Sequence, residues 1–169
     1  MSNALKIGLV GLGNIGKRHV SIINQLSMFE MTAACDVQSD SRSNVGNLPF
    51  FEDYTQFLAF CKDQQVDIIV IATPHALHVE QSIAALSMGF HVLVEKPMAL
   101  SSAGAQSMIH AANEVCKKLW VVKQNRFNTP VAHVNRLIQS GVLGRIFHLQ
   151  CQVIWNRHAP YYTESTWRG

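Results

Sequence analysis

Short apolar runs alternate with amphipathic stretches along most of this chain, and that pattern predicts its elements. Ile7-Gly8-Leu9-Val10 reads as a short buried strand. It passes into Gly11-Leu12-Gly13-Asn14-Ile15-Gly16, and a helix follows on the spacing of Ile15, His19, Ile22, Ile23 and Leu26. Met31 to Cys35 predicts a second strand, ending at Asp36, and polar Gln38 to Asn47 predicts a short helix and loop. Pro49-Phe50-Phe51 suggests a short strand, and Tyr54 to Lys62 a helix presenting Phe57, Leu58, Phe60 and Cys61. Val66 to Ala72 is nearly continuous and β-branched, the signature of a strand buried on both faces. It stops at Thr73-Pro74, because proline cannot donate to a ladder.

A helix from about Leu77 to Met88 closes at Gly89, and the strand His91 to Val94 leads to Glu95-Lys96-Pro97. Ser101 reads as the N-cap of a long helix with Met108, Ile109, Ala112, Val115 and Cys116 on its apolar face. Leu119 to Lys123 is the last strand of the series. Strands and helices alternating at these lengths imply right-handed crossovers and a parallel sheet. The predicted fold is α/β, a doubly wound Rossmann sheet occupying residues 1–124.

Residues 125–169 follow another pattern. Thr129-Pro130 begins a helix with Val131, Val134, Leu137 and Ile138 on one face and Gly141 at its end. Ile146 to Trp155 alternates apolar and polar residues, the period of a half-buried antiparallel strand. Such a strand needs a partner, so it is expected to pair with a second copy or to lie on the first domain rather than stand free. The segment reads as the incomplete beginning of an α+β antiparallel-sheet domain.

Composition narrows the function classes. About half of the residues are apolar and 15% are charged, and the formal charge is +3, with 14 Lys and Arg scattered along the chain. No basic stripe suits nucleic acid, and no apolar run reaches membrane-spanning length. Cys35, Cys61, Cys116 and Cys151 lie far apart in apolar surroundings without metal-ligand spacing, and read as buried reduced thiols. A strand begins within a few residues of Met1, so a soluble cytoplasmic protein without a signal peptide is expected.

The glycine loop carries the first chemistry. In Gly11-x-Gly13-x-x-Gly16 the first glycine makes the tight turn, and the second admits a pyrophosphate close to the backbone. The third lets helix and strand pack closely, while the helix start offers N–H groups to phosphates. Asn14, Ile15 and Gly16 form that start. Asp36 stands twenty residues beyond Gly16, where a carboxylate accepts hydrogen bonds from an adenosine ribose.

Ligands of such sheets bind beyond the carboxyl ends of the strands, where Thr73, Pro74, His78, Glu95, Lys96 and Arg126 also fall. Lys96 beside Glu95 reads either as a group positioning a substrate hydroxyl or as a solvated ion pair. His75 and His78 lack a third ligand candidate, so no metal site is expected. Arg126 could hold an anionic group of a substrate. Asn156, Arg157, His158, Tyr161, Tyr162 and Arg168 could line a sugar or nucleotide pocket, or belong to an untethered tail.

Together, Gly11-x-Gly13-x-x-Gly16, Asp36, Ala72-Thr73-Pro74 with His78, and Gly89-x-His91-Val92-x-x-Glu95-Lys96-Pro97 resemble the Gfo/Idh/MocA oxidoreductases. The resemblance covers essentially the whole chain. Tyr161-Tyr162-x-x-Ser165-x-Trp167-Arg168-Gly169 is similar to members acting on nucleotide-linked amino-sugar acids. It implies reversible hydride transfer between a sugar-, sugar-nucleotide- or inositol-like secondary alcohol and NAD(P), and a homo-oligomer when full length. Lys96 then matches the family lysine that hydrogen-bonds the reacting hydroxyl. Thr73, Pro74, His78, Glu95 and also Lys96 fall to the cofactor, and Lys96, Arg126, Tyr162, Trp167 and Arg168 to the substrate. Asp36 favours NAD, and Arg42 leaves NADP open.

Two departures stand out. His75 occupies a position where many members carry Asn. Members also continue past Trp-Arg-Gly to a His-x-x-Asp motif bearing the usual acid/base histidine, and into the sheet that shapes the substrate site and mediates dimerisation. These 169 residues are therefore expected to bind NAD with little or no turnover. The competing reading is a stand-alone NAD-binding or redox-sensing module without catalysis. A short-chain dehydrogenase is disfavoured, since no Tyr-x-x-x-Lys pair occurs.

Overall fold

The computed structural model describes residues 4–156 and 158–163. Six strands form one parallel sheet in the order β3-β2-β1-β4-β5-β6. They are β1 (Leu5–Val10), β2 (Phe29–Cys35), β3 (Phe50–Phe51), β4 (Ile68–Ile71), β5 (His91–Val94) and β6 (Leu119–Val121). The connecting helices are α1 (Asn14–Gln25), α2 (Tyr54–Asp63), α3 (His78–Ser87) and α4 (Ser102–Glu114). Strand order reverses direction between β1 and β4, so their carboxyl ends open a crevice there. The expected doubly wound sheet is what forms.

The two-residue period of the strands sorts the core into two layers. Leu9 and Val70 lie side by side in register and pack with Val20 and Ile23 of α1. Their neighbours Val10 and Ile71 face the other way, against Phe57 of α2, Leu86 of α3 and Met108 of α4. Asp53 caps α2 by accepting from the Gln56 N–H at 2.8 Å, and Ser101 caps α4 by accepting from the Gly104 N–H at 3.1 Å. Gly89 follows α3 with φ +90°, a conformation that glycine adopts freely.

Three expectations are corrected. The buried stripe of α1 is Gly16, Val20 and Ile23, whereas Ile15, Ile22 and Leu26 are exposed. Gly16 must lie against the Gly11 carbonyl, and that contact sets the rotation of the helix whatever the apolar pattern. On α4 the buried residues are Met108 and Ala112; Ile109 and Cys116 are exposed. Cys151 is exposed too, so only Cys35 and Cys61 are buried thiols.

The chain divides into two compact units, Met1–Val122 and Lys123–Gly169. The second begins with a short 3-10 helix, Gln124–Phe127, followed by α5 (Thr129–Gln139) and the five-residue α6 (Ala159–Thr163). Pro130 sits in the first turn of α5, and Gly141, with φ +71°, follows its end. No residue of α5 is buried, and residues 146–156 form no strand. Alternation encodes a half-buried strand only where a neighbouring strand completes the ladder, and among the described residues none does. No helix of the described residues is long and apolar enough to cross a membrane.

Candidate functional site

The glycine loop leaves β1 with a hydrogen bond from the Gly11 N–H to the Cys35 carbonyl at 2.8 Å. Gly11 has φ +89°, and a Cβ there would lie 2.6 Å from the Ala72 backbone, so the position accepts glycine alone. A Cβ on Gly16 would overlap the Gly11 carbonyl oxygen. Gly13 differs: a Cβ built on it meets nothing within 4 Å. Gly13, Asn14 and Ile15 are exposed, and no side chain caps α1, so the helix start presents backbone N–H groups to open space. The first and third glycines are required by the fold, and the second leaves a cradle open in front of the helix start.

Asp36 closes the other side of the loop. Its Oδ2 accepts from the Leu12 N–H at 2.6 Å and its Oδ1 from the Gln38 N–H at 2.9 Å. A carboxylate offers about four lone-pair directions, so these two bonds leave capacity for ribose hydroxyls. The same group fixes the glycine loop to the end of β2.

At the carboxyl ends of β4 and β5 the polar residues form a connected set. The Thr73 hydroxyl donates to Gln81 Oε1 at 2.6 Å. Pro74 is exposed. His78 is fully buried; its Nδ1 lies 2.8 Å from the Pro97 carbonyl oxygen and its Nε2 2.9 Å from that of Thr73. With both nitrogens committed and no exposed surface, His78 ties two loops together. His75 packs edge-on to His78, ring centroids 5.6 Å apart. Burial, His78 and Lys96 lower its pKa. Among the described residues, no three potential metal ligands converge.

Glu95 is tied to the glycine-loop helix. His19 Nε2 and Glu95 Oε1 are 2.9 Å apart, with side chains 16% and 12% exposed. Glu95 Oε2 accepts from the Lys96 N–H at 3.2 Å. Burial opposes ionisation of this carboxyl, but the hydrogen bonds from His19 and the Lys96 N–H outweigh it, and its pKa lies below the ordinary value. Lys96 is exposed at the strand end, and the Lys96–Pro97 peptide is cis. His19 was legible only as a helix-face residue. A histidine inside an otherwise apolar stripe, three residues after the last glycine, was the available signal.

Arg126 and Tyr162 lie in the second unit, both exposed. Trp167 and Arg168 fall outside the described residues, as does Arg157 of the sequence-predicted polar cluster.

Residues 5–123 match the sequence model of an oxidoreductase family with an NAD-binding Rossmann fold. The chain is 30% identical over 165 residues to a 1-carboxy-3-chloro-3,4-dihydroxycyclohexa-1,5-diene dehydrogenase of Comamonas testosteroni, covering 97% of this chain and 40% of that protein. It is 28% identical to the inositol 2-dehydrogenase of Salmonella typhimurium, over 96% and 47% of the two chains. Among solved structures, the WlbA dehydrogenase of Bordetella pertussis, in complex with NADH and UDP-GlcNAcA, superposes with TM-score 0.91 at 34% identity. That match covers 99% of this chain and 51% of WlbA. The scyllo-inositol dehydrogenase of Lactobacillus casei, with NAD(H) and scyllo-inositol bound, has TM-score 0.76 at 26% identity, over 84% and 43% of the chains. The chain thus spans about half the length of these relatives. A Rossmann sheet, a glycine cradle at its switch point and this match across the first unit agree: the chain belongs to the Gfo/Idh/MocA oxidoreductase family.

Proposed function

We propose that this chain is the cofactor-binding portion of an NAD-dependent dehydrogenase acting on a sugar-like secondary alcohol, most closely a nucleotide-linked amino-sugar acid. The observation that carries the reading is the open cradle at Gly13 beside the Asp36 carboxylate, with exposed Lys96 at a neighbouring strand end of the same crevice. The residues present fit a dinucleotide: N–H groups of α1 for the pyrophosphate, and Asp36 for the adenosine ribose. A carboxylate at that position repels a 2′-phosphate, which selects NAD over NADP. The substrate class is supported by the extent of the likeness to WlbA and by UDP-GlcNAcA in that structure.

Oxidation of a secondary alcohol removes a hydride from carbon and a proton from oxygen. The nicotinamide ring, when bound, accepts the hydride. The proton passes to a general base, the role that the family resemblance gives to a His-x-x-Asp histidine, while Lys96 donates a hydrogen bond to the alcohol oxygen and stabilises the negative charge that develops on it. Glu95 holds the Lys96 backbone N–H. Residues 125–169 begin the substrate and dimerisation domain.

Calorimetric titration with NAD⁺ and NADP⁺ tests this reading. Micromolar NAD⁺ binding, weaker NADP⁺ binding and a loss of about tenfold or more in Asp36→Ala are expected. Equal affinity for both nucleotides, or an Asp36→Ala chain that binds as the parent does, would contradict it.

A further inference from the structure

We propose that His19 and His78 are positioning residues that brace Lys96 from both sides. The inference rests on the reading of Lys96 given above. Lys96 itself is exposed, but both of its chain neighbours are held by buried or nearly buried histidines from other elements. On one side His19 fixes the Glu95 carboxylate, whose second oxygen accepts the Lys96 N–H. On the other side His78 reaches the Pro97 carbonyl and, through its second nitrogen, the Thr73 carbonyl. Both carbonyls are acceptors, so a ring N–H of His78 is the donor in this tie.

Both braces lead back to the glycine loop. His19 lies on α1, one turn beyond Gly16, which packs on the Gly11 carbonyl. The backbone of Ala72 and Thr73 is what a Cβ on Gly11 would strike. Lys96 is therefore fixed relative to the cradle rather than to its own strand alone. A leucine would fill the space of either histidine, but it would supply no donor to Glu95 or Pro97. That difference separates positioning from packing.

The test uses this chain with two probes: NADH, and ADP-ribose, which lacks the nicotinamide. With Lys96 reaching the nicotinamide end of the cofactor as well as the alcohol, Lys96→Met should weaken NADH about fivefold and leave ADP-ribose unchanged. His19→Leu should do the same, and Lys96→Met added to His19→Leu should cost little more, because the two act as one unit. His19→Gln, whose amide still donates to Glu95, should hold NADH within about twofold of the parent. His78→Leu should follow His19→Leu; where it does not fold, the His19 series decides. Unaltered NADH affinity in a folded His19→Leu overturns the bracing, as does an equal loss of ADP-ribose or full additivity with Lys96→Met. Parent chain that binds neither probe, or Lys96→Met without effect, instead overturns the reading on which the inference rests.

Discussion

At the scale of single residues, the three glycines of the loop separate folding from binding. Gly11 combines φ +89° with a backbone 2.6 Å from its missing Cβ, and Gly16 has the Gly11 carbonyl in the same place. Gly11→Ala and Gly16→Ala should each lower stability by more than about 1 kcal/mol in denaturant unfolding. Gly13→Ala has open space for its methyl group and should unfold like the parent, yet lose NAD⁺ affinity. Loss of stability without loss of binding in Gly13→Ala would reverse that assignment. Thiol chemistry divides the cysteines as sharply. Burial, with Asp36 and Asp53 nearby, pushes the Cys35 thiol up to about 12, and burial with Cys35 does the same for Cys61. A thiol reagent at about pH 8 should label Cys116 and Cys151 in the folded chain, and Cys35 and Cys61 only after unfolding. Four reactive thiols in the native protein would contradict this.

At the scale of elements, β5 is joined to α1 through Glu95 and His19, and to β4 and α3 through Pro97 and His78. The first tie carries a pH dependence. The folded pKa of Glu95 is depressed, so its contribution to stability is complete above the unfolded carboxylate pKa of 4.5 and is lost as pH falls through the lower folded value. The stability advantage of the parent over Glu95→Gln should therefore shrink as pH drops below about 4.5 in thermal melts. An advantage that grows with acidification would contradict the tie. Elements were legible where one local demand decided them. The glycine turn, the β-branched run ending in β4 and the Ser101 cap are of that kind. The face of α1 was not, because Gly16 rotates the helix by a contact that apolar periodicity does not encode. Nor was the His19–Glu95 tie, which joins residues 76 positions apart. The alternation from Ile146 to Trp155 predicted a strand that depends on a partner, and no described strand supplies one.

For the whole molecule, topology explains why scattered residues act together. One parallel sheet in this order brings the glycine loop, Asp36, Thr73 and Glu95-Lys96 to the carboxyl ends of neighbouring strands. Sequence motifs named these positions, and strand order makes them one crevice. The relatives are about twice as long, and the residues proposed for substrate, Arg126 and Tyr162, belong to the second unit. On this account cofactor recognition resides in the first unit. Amide chemical-shift mapping during NAD⁺ titration tests that claim most directly. Shifts should cluster at Gly11 to Gly16, Asp36 to Gln38, Thr73 and Glu95-Lys96, with His19 following through the Glu95 carboxylate. Shifts confined to the second unit, or saturable binding that leaves Gly13 and Asp36 unmoved, would contradict the account.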